Sequence, residues 1–132
     1  MSPPGDGPTG PRRKRRRLSR SGEFDRVFRE GRSHSSRHLV VYSFPRDPAA
    51  DGPRLGVSVG RRVGGAVERN RVKRLLRESF WSALDELPEG HDFVIVARPD
   101  AGELAEREGG AGVEAALREV LVEAGLSSQG EK

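Results

Sequence analysis

The run Arg69-Asn70-Arg71-Val72-Lys73-Arg74-Leu75-Leu76-Arg77-Glu78-Ser79-Phe80 constrains the fold more than any other part of this chain. It contains neither Gly nor Pro, and its Leu, Arg and Lys are good helix formers. A helix advances about 100° per residue. On that wheel Val72, Leu75, Leu76, Ser79 and Ala83 share one side, while Asn70, Lys73, Arg74 and Arg77 share the opposite one at i, i+3, i+4 and i+7. The spacing predicts a helix with an apolar face for a core and a cationic stripe turned outward. Like charges at these separations cost a helix a few tenths of a kcal/mol per pair. Glu78 can relieve Arg74 at i+4, but no acidic residue lies within the stripe. Most charge runs are simply solvated faces, yet a solvated face usually mixes signs. This one does not, so a polyanionic partner is the better reading. Asn70 supports it, because a carboxamide in a cationic row can donate to phosphate or sugar and accept from a neighbouring Arg.

The rest of the composition narrows the class. With 132 residues, the chain suffices for one domain with a modest core. Apolar and charged residues each make up 33%, so either the core is small or part of the chain is tail. Lys and Arg number 24 against 20 Asp and Glu, a net charge of +4. Most of the base lies before residue 80 and much of the acid after residue 100, an asymmetry that suits nucleic acid or an anionic membrane surface. No run of 18 apolar residues exists to span a membrane, and the basic N-terminus lacks the apolar stretch of a secretory signal. There is no cysteine, hence no disulfide framework, thiolate metal site or cysteine nucleophile. A cytoplasmic protein fits this pattern.

Residues 1–17 read as a disordered tail, rich in Pro and Gly and then polybasic from Arg12 to Arg17. Taken alone, that block suits a nuclear signal, a membrane-surface arm, an RNA-binding arm or a solubilising tail. From Leu18 to Gly31 a first helix is expected. Ser21 is its N-cap candidate, Phe24, Val27 and Phe28 lie at i, i+3 and i+4, and Gly31 ends it. Residues 33–45 read as strand, with Val40, Tyr42 and Phe44 on one face and Leu39, Val41 and Ser43 on the other. After a loop from Pro45 to Pro53, residues 54–60 form a second strand in which Gly56 signals a close backbone approach or a bulge. Residues 61–66 turn into the basic helix, and paired Gly64 and Gly65 before a helix start favour an anion. That turn lacks P-loop spacing. Pro88 and Gly90 end the helix, and Asp92 to Arg98 is a nearly continuous apolar strand suited to a sheet centre. Residues 100–112 read as loop with one helical turn near Leu104, and residues 113–124 as an amphipathic helix. A single domain over 18–126 follows, with a C-terminal tail at 127–132. Its fold class is α+β, a sheet with helices mainly on one face. The segment from Leu55 to Arg98 reads as a parallel crossover, right-handed by default.

Several stretches together resemble the bacterial ribonuclease P protein component. They are Arg69 to Glu78; Glu23 to Phe28 with Gly31-Arg32-Ser33; Leu55 to Val59; and Asp92 to Pro99. The resemblance covers about residues 18–126, with the elements in order. It implies the protein subunit of a ribonucleoprotein that removes 5′ leaders from precursor tRNA, in which the RNA subunit and its Mg²⁺ carry the chemistry and the protein itself holds no metal. It implies an α-β-β-β-α-β-α order around a four-stranded sheet, with a left-handed crossover in place of the default. The implied partners are the RNA subunit and precursor tRNA, with no membrane and no obligate protein partner. Carried onto this chain, the RNA-subunit contacts fall on Arg69, Asn70, Arg71, Lys73, Arg74 and Arg77, and the leader cleft on Phe24, Phe28 and Tyr42. Arg61 and Arg62, after Gly60, stand where the family often has Ser-Lys-Lys. Charge is kept there, but Arg and Lys hydrate and bond differently.

The residues themselves show no catalytic constellation. His34, His38 and His91 lack metal-ligand spacing, and Ser58 has no evident base. Two Phe at helical spacing are usually plain core, but here the few aromatics lie close to basic residues, the combination that binds single-stranded nucleic acid by stacking. The rival reading is a non-enzymatic RNA-binding protein, either ribosomal or a chaperone, which copurification would distinguish. A DNA-binding regulator fits less well, because the stripe is too uniformly cationic to read base edges.

Overall fold

The structure, a computed structural model, describes residues 16–18, 21–45, 53–87 and 90–126. It contains strands β1 (Arg16–Arg17), β2 (Arg32–Ser35), β3 (Leu39–Pro45), β4 (Arg54–Val59) and β5 (His91–Ala97). The helices are α1 (Ser21–Glu30), α2 (Ala66–Ser82) and α3 (Asp100–Glu123), with short 3-10 turns at Arg61–Val63 and Leu84–Glu86. The sheet order is β1-β4-β5-β3-β2. Four strands form the sheet proper, and the two-residue β1 adds to its β4 edge. β5 is central, parallel to β4 and antiparallel to β3. Its continuous apolar run follows from that place, because both of its faces are covered.

Those two faces carry two separate cores. On one, α2 and α3 pack over Leu39, Val41, Leu55, Phe93 and Ile95, and contribute Val72, Leu76, Phe80, Leu117 and Leu121. Leu76, Phe80, Phe93 and Ile95 are fully buried. On the other face α1 packs alone, through Val27 onto Val94, with Leu18, Phe24, Tyr42, Phe44 and Val96 around them. The alternation expected along β3 is therefore present, with Leu39, Val41 and Ser43 buried and Val40, Tyr42 and Phe44 half-buried. Two of the three helices share a face; α1 does not.

Helix α1 begins at Ser21 rather than Leu18, and α2 ends at Ser82, with a separate 3-10 turn at Leu84–Glu86, short of Pro88, which lies outside the described residues. Three further boundaries differ more from the sequence reading. Arg16 and Arg17, assigned there to the tail, pair in parallel with Arg54 and Leu55, and the Leu18 amide donates to the Leu55 carbonyl. The remaining tail residues, 127–132 and most of the Pro45–Pro53 loop lie outside the described residues. The single strand read over 33–45 is two antiparallel strands, the count implied by the family resemblance. Ser36 makes the break, because its hydroxyl accepts from the His38 and Leu39 amides and its own amide donates to the Leu39 carbonyl. Hydroxyl-to-backbone bonds of this kind form tight turns.

The third difference is the largest. Residues 100–112, read as loop, are helix: α3 begins at Asp100 and is interrupted only at Gly109, which has φ 65 and ψ −157. Asp100 and Glu103 lie in its first turn, where the helix dipole favours carboxylates. Ala101, Leu104 and Ala105 are buried at helical spacing. A single positive-φ glycine, Gly109, breaks the helix and the chain then resumes it.

Candidate nucleic-acid interface

Two surfaces of different chemistry stand on opposite faces of the sheet. The first is the exposed side of α2. Val72, Leu76, Ser79 and Phe80 are buried beneath it. Asn70 and Arg74 are exposed, and Lys73 and Arg77 are half-buried. Those four side chains share the face away from the core, as the periodicity requires. Just upstream, Arg61 and Arg62 are exposed on the 3-10 turn that leads from β4 into the helix. The N-cap of α2 is Gly65, with no side-chain cap, so the positive end of the helix dipole adds to the same cationic surface.

Arg69 and Arg71 are placed differently. Arg69 is half-buried, and its Nε is buried with no hydrogen-bond partner among the described residues. Arg71 turns toward α3, where its Nη2 donates to the Ala105 carbonyl at 3.1 Å. The helical wheel separates these two from the stripe; contact with α3 then fixes what Arg71 does.

The second surface lies under α1. Strand register sets it out in rows. Gly56, Val94, Tyr42 and Ser33 form one cross-strand row, and Ser58, Val96, Val40 and Ser35 the next. Phe24 comes down from α1 onto Gly56: a Cβ built on that glycine would stand 2.4 Å from the Phe24 Cζ. The glycine in β4 is therefore a seat for an aromatic ring, where the sequence left a close backbone approach or a bulge open. Phe28 stands 6.4 Å from Phe24 and 4.8 Å from Tyr42, centroid to centroid, in an edge-on arrangement with Tyr42 at 88°. Such edge-to-face pairs are preferred aromatic geometry. Phe28 is 40% exposed, while Phe24 and Tyr42 are half-buried. The three aromatics, from one helix and one strand, thus form a single row with open ring surface. Beside it Val40 and Val96 are half-buried and Ser58 and Ser35 exposed.

Two further groups complete this face. Arg26 of α1 lies over the Phe44 ring at 5.6 Å, within cation–π range. Phe44 was legible as two residues beyond Tyr42 on the same strand face; its pairing with Arg26 was not. Across the sheet from Phe44, Arg54 grips Asp92 with two bonds of 2.8 Å, Nε to Oδ1 and Nη2 to Oδ2. The Asp92 side chain is 2% exposed and that of Arg54 20%. Among the described residues no three His, Asp or Glu side chains converge as a metal site requires. No described helix is long and apolar enough to cross a membrane.

Comparison with known proteins agrees with this architecture. The profile of the family described as Ribonuclease P matches residues 13–121. A Ribonuclease P protein component of Bacillus cereus is 38% identical over 96 residues, covering 73% of this chain and 83% of the relative. Another B. cereus strain's component is 40% identical over 98 residues. Among solved structures, the RNase P protein of Staphylococcus aureus superposes with a TM-score of 0.75 at 30% identity, covering 86% of this chain and 99% of that one. The RNase P protein of Thermotoga maritima gives 0.72 at 34% identity, covering 81% and 96%. With residues 13–121 matched by the family profile and its fold shared with solved members, the chain belongs to the bacterial ribonuclease P protein family.

Proposed function

We propose that the chain binds the catalytic RNA subunit of ribonuclease P through α2 and the Arg61–Arg62 turn, and the 5′ leader of precursor tRNA through the aromatic row under α1. As a ribonuclease P protein it serves the endonucleolytic step that gives tRNA its mature 5′ end. The observation that carries the finer assignment is the separation of the two surfaces by the sheet. A cationic helix face suits the phosphates of a folded RNA. A row of partly exposed rings suits unstacked bases and tolerates many sequences, as a site for variable leaders must. One small domain with both can hold the precursor's single-stranded end against the catalytic RNA. The RNA subunit with its Mg²⁺ carries the phosphodiester chemistry, and the protein contributes binding and orientation. The site of action is the cytoplasm, where precursor tRNA is processed.

Tyr42→Ala tests this reading. The ring lies on β3 at one end of the row and is half-buried, so its loss should weaken binding of leader-bearing precursor by about 1 to 3 kcal/mol. Binding of mature tRNA should hardly change. The measurement is a titration of both RNAs against holoenzyme reconstituted with the RNA subunit. Equal losses for the two RNAs, or a large fall in the melting temperature of the free protein, would instead assign Tyr42 to the core.

A further inference from the structure

Arg71 belongs to the basic run, yet its guanidinium is engaged by another helix, and the point of contact is informative. Its Nη2 donates to the Ala105 carbonyl at 3.1 Å. Because α3 breaks at Gly109, where φ is 65, the carbonyl of Ala105 lies in the last turn of a helical segment spanning 100–108. Carbonyls in a last turn carry the negative end of the dipole and favour a cation. The same segment also presses on the turn that carries Arg61 and Arg62. A Cβ on Gly102 would stand 2.6 Å from the Val63 carbonyl oxygen, so only glycine allows that approach. A small cavity of about 90 Å³ between α2 and α3 is lined by Glu68, Arg71, Val72, Gly102, Ala105 and Glu106. Glu68 and Glu106 line the same cavity as Arg71, so the charge there is mixed rather than purely cationic.

We infer that Arg71 is a positioning residue: it fastens α2 to the first segment of α3, which also holds the Arg61–Arg62 turn, and so fixes the two cationic elements relative to each other. The RNA part of this inference rests on the function proposed above. The test uses the full-length chain with Arg71→Met, which keeps the long stem and the helix propensity while removing the charge and the donors. Arg74→Ala serves as the comparison. RNA-subunit affinity is measured over a range of salt concentrations, and amide exchange is measured in the free protein. Arg71→Met should lower affinity by a constant factor and leave the log–log salt slope unchanged. Exchange over residues 100–108 should become about two- to fivefold faster, the factor expected for losing a cation at a helix C-terminus. Arg74→Ala, by contrast, should reduce the slope by about 0.7 to 0.9, the value of one phosphate contact. A slope reduction of that size for Arg71→Met, or unchanged exchange, overturns the inference. If Arg74→Ala also leaves the slope unchanged, the proposed RNA face is wrong, and exchange in the free protein still decides the role of Arg71. Should the Met variant not fold, Arg71→Gln is judged by the same two readouts.

Discussion

Replacing Lys73, Arg74 and Arg77 together with Ala should lower the log–log salt slope of RNA-subunit binding by about 2 to 3 and weaken affinity on the order of a hundredfold at 0.1 M salt. The three side chains share the outward face of α2, two of them half-buried and Arg74 exposed. The core beneath them is made by Val72, Leu76, Ser79 and Phe80, none of which is touched. Ala is the best helix former. The substitutions also remove like-charge pairs at i+3 and i+4, each of which costs roughly 0.2 to 0.5 kcal/mol. The free protein should therefore be as stable as the parent or slightly more so. Loss of binding with gained stability separates an interface from a structural element. Binding titrations at four or five salt concentrations, together with thermal unfolding, decide the matter. An unchanged slope with normal circular dichroism would mean that the stripe is a solvated face and that RNA binds elsewhere.

Arg54→Met should cost about 3 to 5 kcal/mol of folding stability, a large share of the roughly 5 to 15 kcal/mol that holds a domain together. Arg54 and Asp92 sit opposite each other on parallel neighbours β4 and β5. The carboxylate is nearly inaccessible, with its side chain 2% exposed, and both of its oxygens accept from the guanidinium at 2.8 Å. Removing the guanidinium leaves a buried charge without that compensation, which is the expensive case. Removing both charges is not: Arg54→Met with Asp92→Leu should recover most of the loss, since well-packed apolar replacements of a buried pair are often neutral or better. Urea unfolding of the two single variants and the double variant gives the cycle. Nearly additive losses would show that the two side chains do not act as a pair. The pair lies on the same sheet face as Tyr42 and Phe44, so the single variants should also disturb the aromatic row proposed to take the leader, and the double variant less.

The basic helix, the central strand and the face alternation of β3 were readable because each is a local periodicity, set by 3.6 or 2 residues per turn of pattern. Gly56 was readable as a close backbone approach or a bulge, but not as the seat of the Phe24 ring. The error at residues 100–112 has the same origin. Within that stretch Ala101, Leu104 and Ala105 keep helical spacing among several glycines. The conformational cost of several glycines was outweighed once those apolar side chains could be buried against α2 and the sheet. The Arg16–Arg17 strand was invisible for another reason. A two-residue strand has no period of its own, and it exists because β4 offers an unpaired edge.

By itself the sequence determined the amphipathic geometry of α2, the sign of its outward face, the apolar β5 and the aromatic residues that could stack on bases, all through short-range spacing and side-chain chemistry. The family resemblance extended this to a function. Tertiary structure alone decided which surfaces lie on which side. It set α1 across the face opposite α2 and α3, so that Phe24 and Phe28 meet Tyr42 from a different element. It set the Arg71 guanidinium, already off the stripe by helical spacing, on a carbonyl of α3. It also joined Arg54 to Asp92 across 38 residues of chain. Contacts between residues far apart in sequence form only when strand register and helix packing bring them together, and no local pattern records that pairing.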